Sequence, residues 1–156
     1  MNLTNASPFE VGILKDVQIL IVDNDRDSGL LYTIFLKYFG ANVITTNSIH
    51  ESLEILTWFI PHILVCEIRF LGESICGLLN KLLSMEANNK NHIPIIVTSA
   101  SSIKSIDQIT KIEFAGYLLK PIDLNNLLAM MENLIQMDKN NSVDITNILA
   151  LTEDYE

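Results

Sequence analysis

The chain has 156 residues, of which 49% are apolar, and it carries a formal net charge of −9 with only ten Lys and Arg side chains. Such a chain is too apolar to remain disordered and long enough to bury one core, so a single globular unit is expected. A basic face for nucleic acid is excluded, because too few cations are available to displace phosphate counterions.

The apolar segments are all far shorter than the ~20 residues of a membrane-spanning helix, and the first residues lack the pattern of a signal peptide. The two cysteines, Cys66 and Cys76, have no spacing typical of a disulfide framework or a metal site. We therefore predict two buried thiols in a chain of the reducing cytoplasm, with no membrane association.

Along the chain, short runs rich in Ile, Leu and Val alternate with segments of helical spacing. Five runs are predicted as buried strands, at residues 18–22, 42–46, 62–66, 93–97 and 116–119. Continuous apolar runs are typical of strands that are covered on both faces. The alternation predicts an α/β fold with a doubly wound parallel sheet and right-handed crossovers.

Five amphipathic helices are predicted between and after these strands, and their apolar stripes are interpreted as core-facing. The stripes are Leu30, Leu31, Ile34 and Tyr38; Ile49, Leu53 and Leu56; Leu78, Leu79, Leu82 and Leu83; Ile103, Ile106, Ile109 and Ile112; and Leu124, Leu127, Leu128, Met131 and Leu134. Ser48 and Glu51 form a capping-box pattern, and Asp123 is the predicted N-cap of the last helix.

The two ends of the chain differ in character from its middle. Residues 1–15 are predicted as a polar N-terminal arm, 16–137 as the folded domain and 138–156 as an acidic C-terminal tail. The tail has an apolar patch at helical spacing, formed by Ile145, Ile148 and Leu149. This patch indicates either an extension that packs on the domain or a segment that binds a partner.

Polar residues stand where the predicted strands end. They are Asp23, Asn24 and Asp25 after the first strand, Glu67 after the third, Thr98 and Ser99 after the fourth and Lys120 after the fifth. Ligands of parallel α/β sheets bind in the crevice at the carboxyl ends of the strands. Acids, a hydroxyl and an ammonium group at this edge suit a phosphoryl group with a divalent cation, or a degenerate version of such a site.

Four of these segments together resemble the receiver domain of bacterial two-component response regulators over about residues 17–137. They are ILIVDND at 19–25, PHILVCE at 61–67, PIIVTSA at 94–100 and YLLKP at 117–121. Their order and spacing match the family, with 44 positions from Asp23 to Glu67, 32 from there to Ser99 and 21 more to Lys120.

The resemblance implies a flavodoxin-like (βα)5 fold with strand order 2-1-3-4-5 and a role for each matching residue. Glu67 stands at the position of the aspartate that accepts a phosphoryl group from a histidine kinase. Asp23 and Asn24 match the acidic pair that holds Mg²⁺ together with the acceptor and a main-chain carbonyl, here that of Arg69. The remaining matches are Ser99 as the switch hydroxyl, Tyr117 as the switch aromatic residue and Lys120 as the phosphoryl-contacting lysine.

Two matches depart from the family pattern. Asn24 removes one negative charge from the metal site, which predicts weak Mg²⁺ binding, although Asp25 is an alternative ligand. Glu67 places its carboxylate about 1.5 Å deeper than an aspartate would, and a misplacement of about 1 Å can cost about 10²-fold in rate. Glu67 therefore either mimics the phosphorylated state in part or simply pairs with Lys120.

We therefore predict a stand-alone, atypical receiver that is not an enzyme and acts by protein–protein interaction. The expected partner is a histidine kinase, a phosphotransfer protein or an effector, bound at the face of the fourth helix, fifth strand and fifth helix; a homodimer is a further option. The first alternative is a receiver that is phosphorylated on Glu67 with weak Mg²⁺ binding. The second is a haloacid-dehalogenase-type phosphatase with Asp23 as nucleophile and Asp25 as acid/base, which requires another acidic strand after Lys120.

Overall fold

The computed structural model describes residues 9–70, 72–89, 92–100 and 113–153, and its centre is one sheet of five parallel strands. The strands are β1 (Gln18–Val22), β2 (Asn42–Thr46), β3 (Ile63–Glu67), β4 (Ile95–Ser99) and β5 (Gly116–Leu119). Their order across the sheet is β2-β1-β3-β4-β5. The predicted doubly wound α/β fold and its strand order are confirmed, and the third and fourth strands begin one and two residues later than expected.

The strand register brings the polar residues of the sequence to one edge. Val22 at the end of β1 is level with Thr46 of β2 and with Cys66 of β3. Glu67 is level with Thr98 of β4, and the last residues of β4 and β5 are also paired. Because parallel strands end at the same edge of a sheet, the residues at the carboxyl ends of β1, β3 and β5 face one crevice.

Four helices are described: α1 (Arg26–Tyr38), α2 (Ile49–Ile55), α3 (Cys76–Asn89) and α4 (Leu124–Glu153). The helix predicted around 103–112 lies outside the described residues. The backbone of α4 continues through position 137 into the predicted tail, and no strand follows β5 within 120–153. Within the described part of the chain, no helix combines the length and apolarity that crossing a membrane requires.

The core lies on both faces of the sheet, because successive strand residues point to opposite sides. Leu20, Leu64 and Val97 pack with α2 and α3 on one face. On the other face, alternate strand residues pack with α1, α4 and Leu14 of the N-terminal segment. Leu127, Leu128 and Met131 of α4 are fully buried as predicted, and Asp123 caps this helix by accepting from the N–H groups of Asn125 and Asn126.

The predicted core stripe of α1 is wrong. Its four members are between 53% and 65% exposed: Leu30, Leu31, Ile34 and Tyr38. The buried face of α1 instead contains Gly29, Tyr32, Thr33 and Leu36. Gly29 faces β2 so closely that an added Cβ would lie 2.8 Å from Oγ1 of Thr45. A small residue therefore lets the helix approach the sheet, and a glycine gives no apolar signal in the sequence.

The cap predicted for α2 is confirmed in part. Ser48 Oγ accepts from the N–H of Glu51 at 3.2 Å, as in a capping box. The N–H of Ser48 donates to Oγ1 of Thr46 at 3.2 Å, rather than to the side chain of Glu51. The carboxylate of Glu73, which precedes α3, accepts from the N–H groups of Ile49 at 3.0 Å and His50 at 3.4 Å. The start of α2 is thus capped from a distant loop.

The predicted burial of Cys76 and of Leu83 is wrong. Cys66 is buried in β3, and burial raises the pKa of its thiol, whereas Cys76 is exposed at the start of α3. Part of the predicted polar arm packs on the domain, since Leu14 is fully buried and its N–H donates to the carbonyl of Phe39 at 2.9 Å. Leu83 of α3 is exposed, while the other three leucines of its stripe are buried.

Gly40, which follows α1, has a φ of +98° and lies close to the backbone of Lys15. Gly40→Ala is expected to lower the free energy of unfolding by about 1–2 kcal/mol, because a Cβ is disfavoured in this left-handed region. Urea denaturation measures the loss. Gly12→Ala is the matched control, since an added Cβ at Gly12 has no atom within 4 Å; an equal loss in both variants would contradict this explanation.

Candidate functional site at the carboxyl edge of the sheet

Lys120 bridges two buried carboxylates at the carboxyl edge of the sheet. Its Nζ lies 2.9 Å from Oε2 of Glu67, and 3.0 Å and 2.9 Å from Oδ1 and Oδ2 of Asp23. The side chains of Asp23 and Glu67 are only 2% and 4% exposed, and that of Lys120 is 17% exposed. Side chains from the ends of β1, β3 and β5 therefore meet in one desolvated cluster, as the strand-end pattern predicts.

Both carboxylate oxygens of Glu67 have partners. Oε2 accepts from Lys120 and from the hydroxyl of Thr98 at 3.4 Å, and Oε1 accepts from the N–H of Arg69 at 3.4 Å. The contact with Thr98 was not predicted. The register signals it, because Thr98 pairs with Glu67 across β3 and β4. The side chain of Arg69 is exposed, so its contribution to Glu67 is the backbone N–H.

The loop after β1 is organised by local hydrogen bonds. Asn24 donates from Nδ2 to the carbonyl of Arg69 at 2.9 Å. Asp25 is the N-cap of α1, where its carboxylate accepts from the hydroxyl of Ser28 at 2.8 Å and from the N–H of Asp27 at 3.1 Å. The hydrogen bond from Ser28, followed by that from Asp27, lowers the pKa of Asp25. Asp25 thus caps a helix rather than joining Asp23 as an alternative metal ligand.

The two predicted switch residues lie on neighbouring strands. Ser99 is fully buried at the end of β4, and its carbonyl accepts from the N–H of Lys120 at 2.8 Å. Tyr117 on β5 is 40% exposed, and its ring packs edge-on against Phe114 with centroids 5.8 Å apart. The structure therefore places Ser99 beside the cluster, whereas Tyr117 lies near the start of β5 with its ring at the surface.

Electrostatics in the cluster favour a charged lysine. Burial alone lowers the pKa of Lys120, but the hydrogen bonds and charges of Asp23 and Glu67 outweigh burial and raise the pKa above its ordinary value. Two carboxylates and one ammonium leave a single net negative charge. The crevice is thus already largely neutralised by a residue of the chain itself.

Comparison with known proteins identifies the family. The family model of the response regulator receiver domain matches residues 19–132, which is most of the chain. The chain belongs to the response regulator receiver domain family. The resemblance inferred from the four strand-end segments is confirmed.

The relatives that the chain matches include two regulators of Escherichia coli. It is 27% identical over 117 residues to the transcriptional regulatory protein ZraR of Escherichia coli K12, and the aligned part covers 75% of this chain and 26% of ZraR. It is 30% identical over 116 residues to the Regulator of RpoS of the same organism, covering 73% of this chain and 33% of that protein. The chain thus spans about a third or less of the length of these relatives.

Solved structures agree on the fold of this receiver domain. The chemotaxis response regulator CheY4 of Vibrio cholerae superposes with a TM-score of 0.64 at 16% identity, covering 76% of this chain and 98% of CheY4. A two-component response regulator from Clostridium difficile gives 0.66 at 21% identity, covering 78% and 97%. The flavodoxin-like receiver fold expected from the sequence is confirmed by these likenesses.

The arranged residues of this receiver domain do not fit Mg²⁺, the ion that the family implies. The Arg69 carbonyl is taken by the amide nitrogen of Asn24, and the oxygens of Glu67 are engaged by Lys120, Thr98 and the N–H of Arg69. Oδ2 of Asp23 is buried, and the ammonium of Lys120 lies 2.9 Å from it. Over the described ranges, no group of three or more His, Cys, Asp or Glu side chains is arranged to hold a metal ion.

Proposed function

We propose that this receiver domain signals by protein–protein interaction, without efficient phosphorylation at Glu67. The observation that carries the proposal is the 2.9 Å contact between Nζ of Lys120 and Oε2 of Glu67. In the family, this lysine contacts the phosphoryl group on the acceptor. Here the longer acid reaches the lysine by itself.

The geometry of Glu67 supports a poor phosphoryl acceptor. Attack on a phosphodonor requires a carboxylate oxygen that is free and aligned, and a displacement of about 1 Å can cost about 10²-fold in rate. Oε2 is held by Lys120, and Oε1 faces the N–H of Arg69. The extra methylene places this carboxylate where a phosphoryl group on a shorter acid would lie. We therefore rank phosphorylation on Glu67 with weak Mg²⁺ binding as the alternative function.

The same contact gives Glu67 a role as a partial mimic of the phosphorylated state. The carboxylate supplies the lysine and a β4 hydroxyl, that of Thr98, with a negative partner in the absence of phosphorylation. Ser99 and Tyr117 then link the crevice to the outer surface, as their matches in the family imply. The competing role of Glu67 is a static ion pair with Lys120 that has no influence on Tyr117.

The partner that fits this role is a signalling protein, whether a histidine kinase, a phosphotransfer protein or an effector. Receiver domains interact with kinases and effectors in two-component systems, and we propose the face of β5 and α4 for this contact. β5 is an edge strand of the sheet, and its residues Tyr117 and Leu119 are 40% and 56% exposed. A net charge of −9 disfavours nucleic acid as a ligand. Self-association through this face is the second form of the same proposal, and neither form requires an enzymatic step.

Treatment of the wild-type chain with acetyl phosphate and Mg²⁺ tests the proposal. We expect intact-mass spectrometry to find no acyl phosphate on Glu67, because its oxygens are engaged and its carboxylate is displaced. Glu67→Gln is the control that removes the acceptor, so any labelling common to both chains lies elsewhere. Labelling of the wild type that disappears in Glu67→Gln contradicts the proposal and supports the phosphorylatable alternative.

The same control variant separates the mimic from the static pair. Glu67→Gln keeps the shape of the side chain and removes its charge. If Glu67 acts as a mimic, the amide resonances of Tyr117 and Leu119 shift in NMR spectra of Glu67→Gln. Changes confined to residues that contact Glu67 directly indicate a static pair instead.

A further inference from the structure

We infer that Asn24 closes the loop after β3 in place of a divalent cation, so that this crevice keeps its shape without Mg²⁺. From the family resemblance alone, Asn24 is expected to be a weak ligand of Mg²⁺. The hydrogen bond between Nδ2 of Asn24 and the carbonyl of Arg69 indicates a different role. The amide donates directly to the carbonyl that would otherwise coordinate the ion.

The chemistry of the two groups fixes the direction of this bond. A carbonyl oxygen has lone pairs and no proton, so the amide must present its nitrogen to Arg69. That nitrogen cannot coordinate a hard cation, which takes oxygen ligands. Turning the amide so that its oxygen faces a cation would break the 2.9 Å hydrogen bond to the carbonyl of Arg69. Loop closure by Asn24 and metal binding at this position therefore exclude each other.

The charge balance of the crevice agrees with this assignment. Lys120 lies between the carboxylates of Asp23 and Glu67 and supplies the positive charge that a cation would otherwise bring. An aspartate at position 24 would add a second net negative charge with no cation nearby. The neutral amide avoids that repulsion and still connects the loop after β1 to the loop after β3.

The far end of the loop after β3 is anchored as well. The carboxylate of Glu73 accepts from the hydroxyl of Ser48 at 3.2 Å and from the N–H groups that begin α2. The backbone hydrogen bond from Ile49 is the main cause of the lowered pKa of Glu73. The loop is therefore held near Arg69 by Asn24 and near Glu73 by α2, and both anchors belong to the protein itself.

This inference rests on the proposed function only in that both treat Glu67 and Lys120 as a permanent ion pair. Its test uses no phosphodonor. Asn24→Asp removes the donor and adds a carboxylate that faces the carbonyl of Arg69. We expect this variant to bind Mg²⁺ at least tenfold more tightly than the wild type in calorimetric titration. We also expect its melting temperature to rise with Mg²⁺, because a ligand that binds the folded state stabilises it.

Two control variants accompany Asn24→Asp. Asn42→Asp adds the same charge at an exposed position at the opposite end of the sheet, at the start of β2, and should gain no Mg²⁺ affinity. Asn24→Ala removes the hydrogen bond without adding charge, and should loosen the loop, seen as faster amide hydrogen exchange at Arg69 and Phe70, with no response to Mg²⁺.

Titration of the wild-type chain with Mn²⁺ keeps the inference testable even if Asn24→Asp fails to fold. We expect no selective paramagnetic broadening of the amide resonances of Asp23 and Arg69 at low millimolar Mn²⁺. Selective broadening there, or Mg²⁺ affinity equal in the wild type and Asn24→Asp, overturns the inference. Phosphorylation of Glu67 in the wild type would overturn the proposed function while leaving these cation results unchanged.

Discussion

Lys120→Met is expected to lower the free energy of unfolding by about 3–5 kcal/mol at neutral pH, which is the usual cost of removing one partner from a buried ion pair. The substitution leaves the carboxylates of Asp23 and Glu67 close together, almost fully buried and without a cation. The methionine keeps most of the volume of the lysine, so the loss reports on charge rather than on packing.

Chemical denaturation of Lys120→Met and of Lys81→Met measures this effect. Lys81 lies on the exposed face of α3, so its substitution should change stability by no more than about 0.5 kcal/mol. Adding Glu67→Gln to Lys120→Met should recover part of the loss, because one uncompensated charge is removed. Equal stability of Lys120→Met and Lys81→Met would show that the cluster has no energetic role.

The dependence of this effect on pH has a definite sign. The pKa of Lys120 is raised in the folded state, so its contribution is complete below the ordinary value of 10.5 and is lost as the pH rises through the folded-state value. Burial also raises the pKa of Tyr32, which destabilises the fold in the same alkaline range. The difference between wild type and Lys120→Met isolates the lysine, and this difference should shrink above about pH 10.5.

The fold was predictable from the sequence because its strands are buried on both faces. Continuous apolar runs such as that of β1 indicate covered strands, and the alternation with helices then leaves few topologies. The apolar stripe of α1 misled the prediction for a physical reason. Its core face contains Gly29 and Thr33, whose hydroxyl donates to the carbonyl of Gly29, while Leu30 and Leu31 lie on the outer face. Close approach to the sheet depends there on small residues, which hydropathy does not reveal.

The site was predictable as far as strand ends determine it. The convergence of Asp23, Glu67 and Lys120 follows from parallel strands that end at one edge. The orientation of the Asn24 amide could not be predicted, because a sequence does not show whether its nitrogen or its oxygen faces a neighbour. The carbonyl of Arg69, which accepts from the nitrogen, determines the orientation. The cap that Glu73 provides for α2 was also missed, since it joins residues that are 24 positions apart.

Glu67→Asp is expected to be labelled by acetyl phosphate about 10²-fold faster than the wild-type chain, when both are measured with Mg²⁺ by intact-mass spectrometry. Removing one methylene withdraws the carboxylate from Lys120 by about 1.5 Å. The shorter acid then leaves room for a phosphoryl group, and the ammonium of Lys120 becomes available to contact it.

The double variant Asn24→Asp, Glu67→Asp should be labelled faster still, because the aspartate at position 24 restores the negative charge that Mg²⁺ binding requires. The gain should exceed the product of the two single gains, since both residues act on the same small volume and are linked through Arg69. Asn42→Asp with Glu67→Asp is the matched control and should behave as Glu67→Asp alone. If Glu67→Asp is labelled no faster than the wild type, the length of the Glu67 side chain is not the cause of poor phosphorylation.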